Sequence, residues 1–121
     1  MKAILIDPDN KTVREVETTG HLNDIYRLLD CHMVECPITY SNGDTIYVNE
    51  EAWMEFNEDE PAGGWMFNGF SYSILGKALI VGNNEEGESA DVRTPVSVIL
   101  NQIHWSSPKY MLTQGIAMGL V

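Results

Sequence analysis

The stretch ITYSNGDTIYV, Ile38 to Val48, constrains the fold more than any other part of the chain. Asn-Gly supports positive φ at two consecutive turn positions, and here it lies between two runs of β-branched and aromatic residues. The spacing predicts a tight hairpin, Ile38 to Tyr40 against Thr45 to Val48, with positive φ at both Asn42 and Gly43. Antiparallel pairing is therefore expected at the centre of the chain.

The flanking sequence extends that reading. Lys2 to Ile6 is apolar, Thr12 to Thr18 alternates Val13 and Val16 with charged neighbours, and the turn formers Asp7 to Lys11 join them into a second expected hairpin. After Gly20, the residues Leu22, Ile25, Tyr26 and Leu29 recur at i, i+3, i+4 and i+7, the apolar stripe of a helix lying on a sheet. Glu50 to Phe56 could make one or two helical turns with Trp53 and Phe56 facing inward, before Pro61 to Gly64 breaks the chain. WMFNGFSYSIL carries another turn signal at Asn68-Gly69, and Ala78 to Val81 reads as a buried strand. Thr94 and Pro95 supply an N-cap and a first-turn proline for a helix through Val98, Ile99, Gln102 and Ile103, stopping near Trp105. The order is roughly ββαββ(α)ββα, an α+β fold with a mainly antiparallel sheet and two main helices packed on it. One domain is expected over residues 1–105, and an apolar tail over 106–121.

Charge is the strongest global feature. Eighteen acids face seven bases, a net charge of −11. Ten of the acids fall in two runs: Glu50, Glu51, Glu55, Glu58, Asp59 and Glu60, then Glu85, Glu86, Glu88 and Asp91. Such a chain is repelled by nucleic acid and by anionic membranes, so a basic protein partner is the natural inference. Duplex DNA carries one charge per ~1.7 Å of axis, so ten carboxylates could imitate about 17 Å of it if both runs shared a face. The competing reading is that two acidic loops merely keep a small domain soluble.

Chemistry-bearing motifs are sparse. Cys31, His32 and Cys36, with His21, fall short of a paired zinc knuckle, and Asp7, Asp9 and Lys11 depart from a calcium loop at the third ligand. No metal, cofactor or catalytic residue is assigned. Cys36 precedes Pro37 at a strand entry, a common place for an inert thiol. Gly76-Lys77 lacks the upstream glycine of a phosphate loop and leads into a strand. The alternative to protein binding is a small-ligand pocket, for a nucleotide above all, near Lys77 and Arg93. No apolar run approaches the ~20 residues of a membrane span, and Asp7 and Pro8 interrupt the start too early for a signal peptide, so the cytoplasm is the expected location. The apolar end, Ile116 to Val121, is a candidate dimer surface.

ILIDP followed by TVREVE, then DIYRLL, NGDTIYVNEE and FNGF…ILGKALIVG, together resemble a family of small proteins of bacteriophages and other mobile elements, grouped only as a domain of unknown function. The resemblance covers roughly residues 2–104 and carries no catalytic signature. It implies a setting: a small acidic protein that binds a host protein, in its most concrete form blocking a DNA-binding defence enzyme by presenting carboxylates in place of phosphates.

Overall fold

A computed structural model describes residues 1–52, 64–67 and 73–106. Nine strands and two helices follow in chain order among these residues. They are β1 (Lys2–Asp7), β2 (Thr12–Glu17), α1 (Leu22–Leu29), β3 (Val34–Thr39), β4 (Thr45–Asn49), β5 (Gly64–Phe67), β6 (Ser73–Leu75), β7 (Ala78–Asn83), β8 (Ser89–Ala90), α2 (Val96–Gln102) and β9 (Ile103–Ser106). The main sheet has the order β2-β1-β7-β4-β3, with β8 added to β7, and a smaller sheet has the order β6-β5-β9. Every pairing is antiparallel. The α+β class stands.

The main sheet buries both faces of its central strands. Ile4, Ile6, Ile46, Val48, Ala78 and Ile80 meet Trp65 and Ile74 of the small sheet, Ile99 of α2 and Ile103 of β9. Ala3, Leu5, Leu79 and Val81 point the other way, onto Ile25 and Leu29 of α1 and onto Cys31. This is why β1 and β7 read as unbroken apolar runs, where a sheet wetted on one side would alternate. Each fully buried Ile or Leu contributes about 1.5–3 kcal/mol before chain entropy is counted. Edge strand β2 carries two half-buried valines three residues apart, which the strand period sends to opposite faces, Val13 packing on one cluster and Val16 on the other. Helix α2 packs against β2, while its Gln102 accepts a hydrogen bond from the Tyr40 hydroxyl, next to β3, at 3.2 Å. It therefore spans the inner face between the sheet's two edges.

Several local expectations change. The central hairpin has a three-residue loop: Tyr40 N–H donates to Asp44 O at 2.8 Å and Gly43 N–H to Tyr40 O at 3.0 Å. Gly43 has φ +94°, while Asn42 is not among the positive-φ residues, so glycine alone supplies the left-handed position. Strand β3 starts earlier than Ile38 and carries Pro37 within a register shift between Glu35 and Ile38, which an edge strand tolerates. The acidic loop contains the short strand β8. Leu22 is 54% exposed in the first turn of α1, because Ile25 and Leu29 already fill the inner face of this eight-residue helix. Pro95, not Thr94, occupies the N-cap of α2. That helix ends at Gln102, and Ile103 turns extended to pair β9 with β5, so the expected end of the helix near Trp105 becomes a strand. The expected turns at Glu50 to Phe56, beyond Ala52, and at Asn68-Gly69 lie outside the described residues, as does the tail after Ser106. Among the described residues no helix is long and apolar enough to cross a membrane.

Asp24 anchors α1 to the end of β2. Its carboxylate accepts from the Thr18 hydroxyl at 2.6 Å, from Thr19 N–H at 3.0 Å, and from Arg27 Nε and Nη2 at 2.9 and 2.7 Å. The Thr18 hydroxyl first, then Arg27 and the Thr19 amide, hold its pKa at about 2, below the ordinary 3.8. Ionised Asp24 thus favours the folded state fully above the ordinary value, and that contribution fades as pH falls through about 2. Unfolding followed from neutral pH to below 2 should show this acid-side loss, and Asp24→Asn should flatten that part of the profile.

A second test concerns Gly82. A Cβ at this position would meet the carbonyl oxygen and carbon of Asp91 and the Ala90 carbonyl, where the chain leaving β8 crosses β7. Gly82→Ala should lower the unfolding free energy by about 1–3 kcal/mol, read from the urea midpoint, because backbone cannot yield as a side-chain tip can.

Candidate functional site

Asp44 joins the parts of the chain at one end of the sheet. It is fully buried and directly precedes β4, two places before the core residue Ile46. Arg93 N–H is shared between its two carboxylate oxygens at 3.1 Å each, and Thr94 donates to Oδ2 through its amide at 2.8 Å and its hydroxyl at 2.6 Å. Asn42 Nδ2 reaches the same oxygen at 3.4 Å. Asn42 Oδ1 accepts from Asp44 N–H at 3.0 Å, and Asn42 Nδ2 donates to Thr94 Oγ1 at 3.1 Å. Arg93 adds an outer clasp, its Nη1 donating to the carbonyls of Asn42 at 2.9 Å and Asn83 at 2.6 Å. Asn83 Nδ2 completes the set by donating to Gly43 O at 3.0 Å and Thr45 Oγ1 at 2.8 Å. This latch ties the central hairpin to the segment that launches α2. Burial, and then the Asp44 charge, push the Tyr40 phenol up to about 12.

Beside the latch, the β7–β8 turn presents acids on a fixed backbone. Asn84 Oδ1 accepts from Glu86 N–H at 3.0 Å and from Glu88 N–H at 2.9 Å. Asn84 N–H donates to Glu88 O at 2.9 Å, and Gly87 N–H to Asn84 O at 3.0 Å. Glu85, Glu86 and Glu88 are exposed and stand in none of the described ion pairs. Asp91 is also exposed, but its carboxylate accepts Lys2 N–H at 2.8 Å, pinning the segment after β8 to the start of β1.

The described acids of the two runs do not come together. β4 and β7 pair Thr45 with Val81 and Val48 with Ala78, so Glu50 and Glu51 leave the sheet at the start of β7, whereas Glu85, Glu86 and Glu88 lie beyond its end. The six residues of β7 put roughly 17 Å of strand between those ends. Glu55, Glu58, Asp59 and Glu60 fall outside the described residues.

Lys77 and Arg93 are divided in the same way. Lys77 precedes β7, close enough to Asp7 for its charge to act there. Burial raises the Asp7 carboxyl, but hydrogen bonds from Asn10 and Asp9 together with Lys77 hold it below its ordinary value. Arg93 is at the far end, its Nη1 engaged by two carbonyls, so these cations do not line one pocket. Cys31 is buried under α1 and Cys36 lies exposed on β3. Desolvation raises the Cys36 thiol above its ordinary value, the reverse of nucleophile activation. Among the described residues no three His, Cys, Asp or Glu side chains are grouped to hold a metal.

Asp44 belongs to none of the chemistry-bearing motifs that the sequence presents. The signal was present: continuing the inward period of Ile46 and Val48 back by two places lands on Asp44, an acid at a core position. Asp44→Ala should leave the Arg93 and Thr94 amides without their acceptor, at about 1–3 kcal/mol each, so a loss of roughly 2–6 kcal/mol is expected in urea unfolding. Asp44→Asn should lose less, since one acceptor oxygen survives.

A family model described as a domain of unknown function, DUF3846, matches residues 1–103. No curated protein and no solved structure matches the chain. The matched span runs from β1 to the first residue of β9 and includes the latch and the acidic turn. The chain is a member of the DUF3846 family.

Proposed function

We propose that this protein is a non-catalytic binding module of a phage or other mobile element, which docks through an acidic surface onto a basic surface of a host protein. A nucleic-acid-binding enzyme in the host cytoplasm is its most concrete partner. The observation that carries the reading is the β7–β8 turn, where Glu85, Glu86 and Glu88 project from a backbone already held by Asn84. A contact loop ordered in advance loses less entropy on binding, so its charges count for more than those of a slack loop. The role is also consistent with how the other polar groups are used: Asp44, Asp24 and Arg93 are all spent on holding the fold. Since Glu50 and Glu51 emerge at the other end of β7, the turn is taken as a contact surface by itself, and imitation of a long nucleic-acid strip is not required.

Affinity capture of host proteins on the full chain at about 0.1 M and roughly 0.5 M salt tests this, because exposed charge contacts weaken as the screening length shrinks. A nucleic-acid-binding protein held at low salt and released at high salt is expected. The variant carrying Glu85→Gln, Glu86→Gln and Glu88→Gln should capture it more slowly and with weaker salt dependence, while its urea midpoint stays within experimental error of the parent. Undiminished capture by that variant removes the turn from the interface. No specific capture at either salt rejects the binding role.

A further inference from the structure

We propose that Asn42 is a deamidation site gated by the Asp44 latch. In an Asn-Gly pair the glycine nitrogen can attack the asparagine side chain with little hindrance, since no side chain shields it. The Gly43 N–Asn42 Cγ bond forms, the Cγ–Nδ2 bond breaks, and Nδ2 leaves as ammonia with the proton from Gly43 N. One water then opens the cyclic imide to aspartate or isoaspartate.

The folded chain holds both reacting groups away from this path. Gly43 N–H is committed to Tyr40 O at 3.0 Å. Asn42 Oδ1 is held by Asp44 N–H at 3.0 Å, and Nδ2 by Thr94 Oγ1 at 3.1 Å and Asp44 Oδ2 at 3.4 Å. The glycine peptide is also close against its neighbours, since a Cβ on Gly43 would lie 3.0 Å from Asn83 O and 3.3 Å from Arg93 Nη1. Ring closure needs these bonds released together, and their release is the opening of the latch.

The product cannot restore what was opened. A carboxylate at position 42 loses the donor that Nδ2 gave to Thr94 and Asp44, and it places a second negative charge beside the buried Asp44. Isoaspartate also lengthens the backbone inside a three-residue loop whose geometry depends on Gly43. Openings of the latch, summed over time, are thus recorded as a covalent change that keeps the segment before α2 undocked.

The test is peptide mass mapping of amide-to-acid conversion at Asn42 in the full chain, incubated at mildly alkaline pH. Conversion in the folded protein should be slower than in the denaturant-unfolded chain by roughly tenfold or more, as for any event that requires local opening. Thr94→Val, which removes the hydroxyl that Asn42 donates to, should convert faster than the parent, and Thr94→Ser should restore the slow rate. Equal rates in folded and unfolded chains would overturn the proposal, as would a folded Thr94→Val protein converting no faster than the parent. If Thr94→Val does not fold, the parent in graded sub-denaturing urea decides. Conversion must then rise in step with hydrogen exchange of the Gly43 amide, and a rate indifferent to urea sinks the gate.

Discussion

The fold depends on a charge kept out of water. Burying an isolated carboxylate costs several kcal/mol even after relaxation, so Asp44 is tolerable only because protein dipoles replace its hydration. Those dipoles are backbone amides of Arg93 and Thr94, the Thr94 hydroxyl and the Asn42 amide. The donors come from two segments about fifty residues apart in sequence, so the carboxylate is satisfied only once the central hairpin and the approach to α2 have met. The latch is therefore a registration device as much as a source of stability. It sets where α2 begins, and so where Ile99 enters the core and where β9 reaches β5.

That consequence passes through the layers. The central strands β1, β7 and β4 need cover on both faces, and α1 covers only one of them. The other is covered by α2 with the small sheet, whose strands come from distant parts of the chain: β5 and β6 precede β7, and β9 follows α2. Trp65 belongs to this cover, fully buried, its indole N–H donating to Gly76 O at 3.2 Å. A shift in the start of α2 would move β9 against β5 and disturb the packing around that indole.

The acids fall into two kinds once their surroundings are known. Asp7, Asp24, Asp44 and Asp91 accept hydrogen bonds from backbone or side-chain donors and hold turns or junctions in place. Glu85, Glu86 and Glu88 project into solvent from a turn that Asn84 keeps in shape. Net charge does not separate these classes, because it counts a carboxylate spent on the fold equally with one available to a partner. The longer side chain of Glu suits the second use: it carries charge clear of the backbone, whereas Asp bonds readily to amides near it.

Much of the fold was legible locally. Turn formers at Asp7 to Lys11 and the Asn42-Gly43 pair announced two hairpins, the spacing of Ile25, Tyr26 and Leu29 announced α1, and Ala78 to Val81 was readable as a strand buried on both faces. These signals rest on short-range sterics and side-chain period, which a sequence carries in itself. Less was legible at Thr94, whose hydroxyl looked like a helix cap and serves Asp44, and at Ile103 to Trp105, which continued a helical pattern and became a strand. In both places a partner far away in sequence outbid the local preference. The candidate site was half visible for the same reason, since the exposed acids could be counted while the Asp44 core position was missed. By itself, then, the sequence determined the α+β class, the hairpins, α1 and the acidic excess. Tertiary structure alone decided which acids are spent on the fold, that the acidic turn and Glu50 emerge at opposite ends of β7, and that the last pattern becomes β9, because each depends on hydrogen bonds and pairings between residues that meet only after folding.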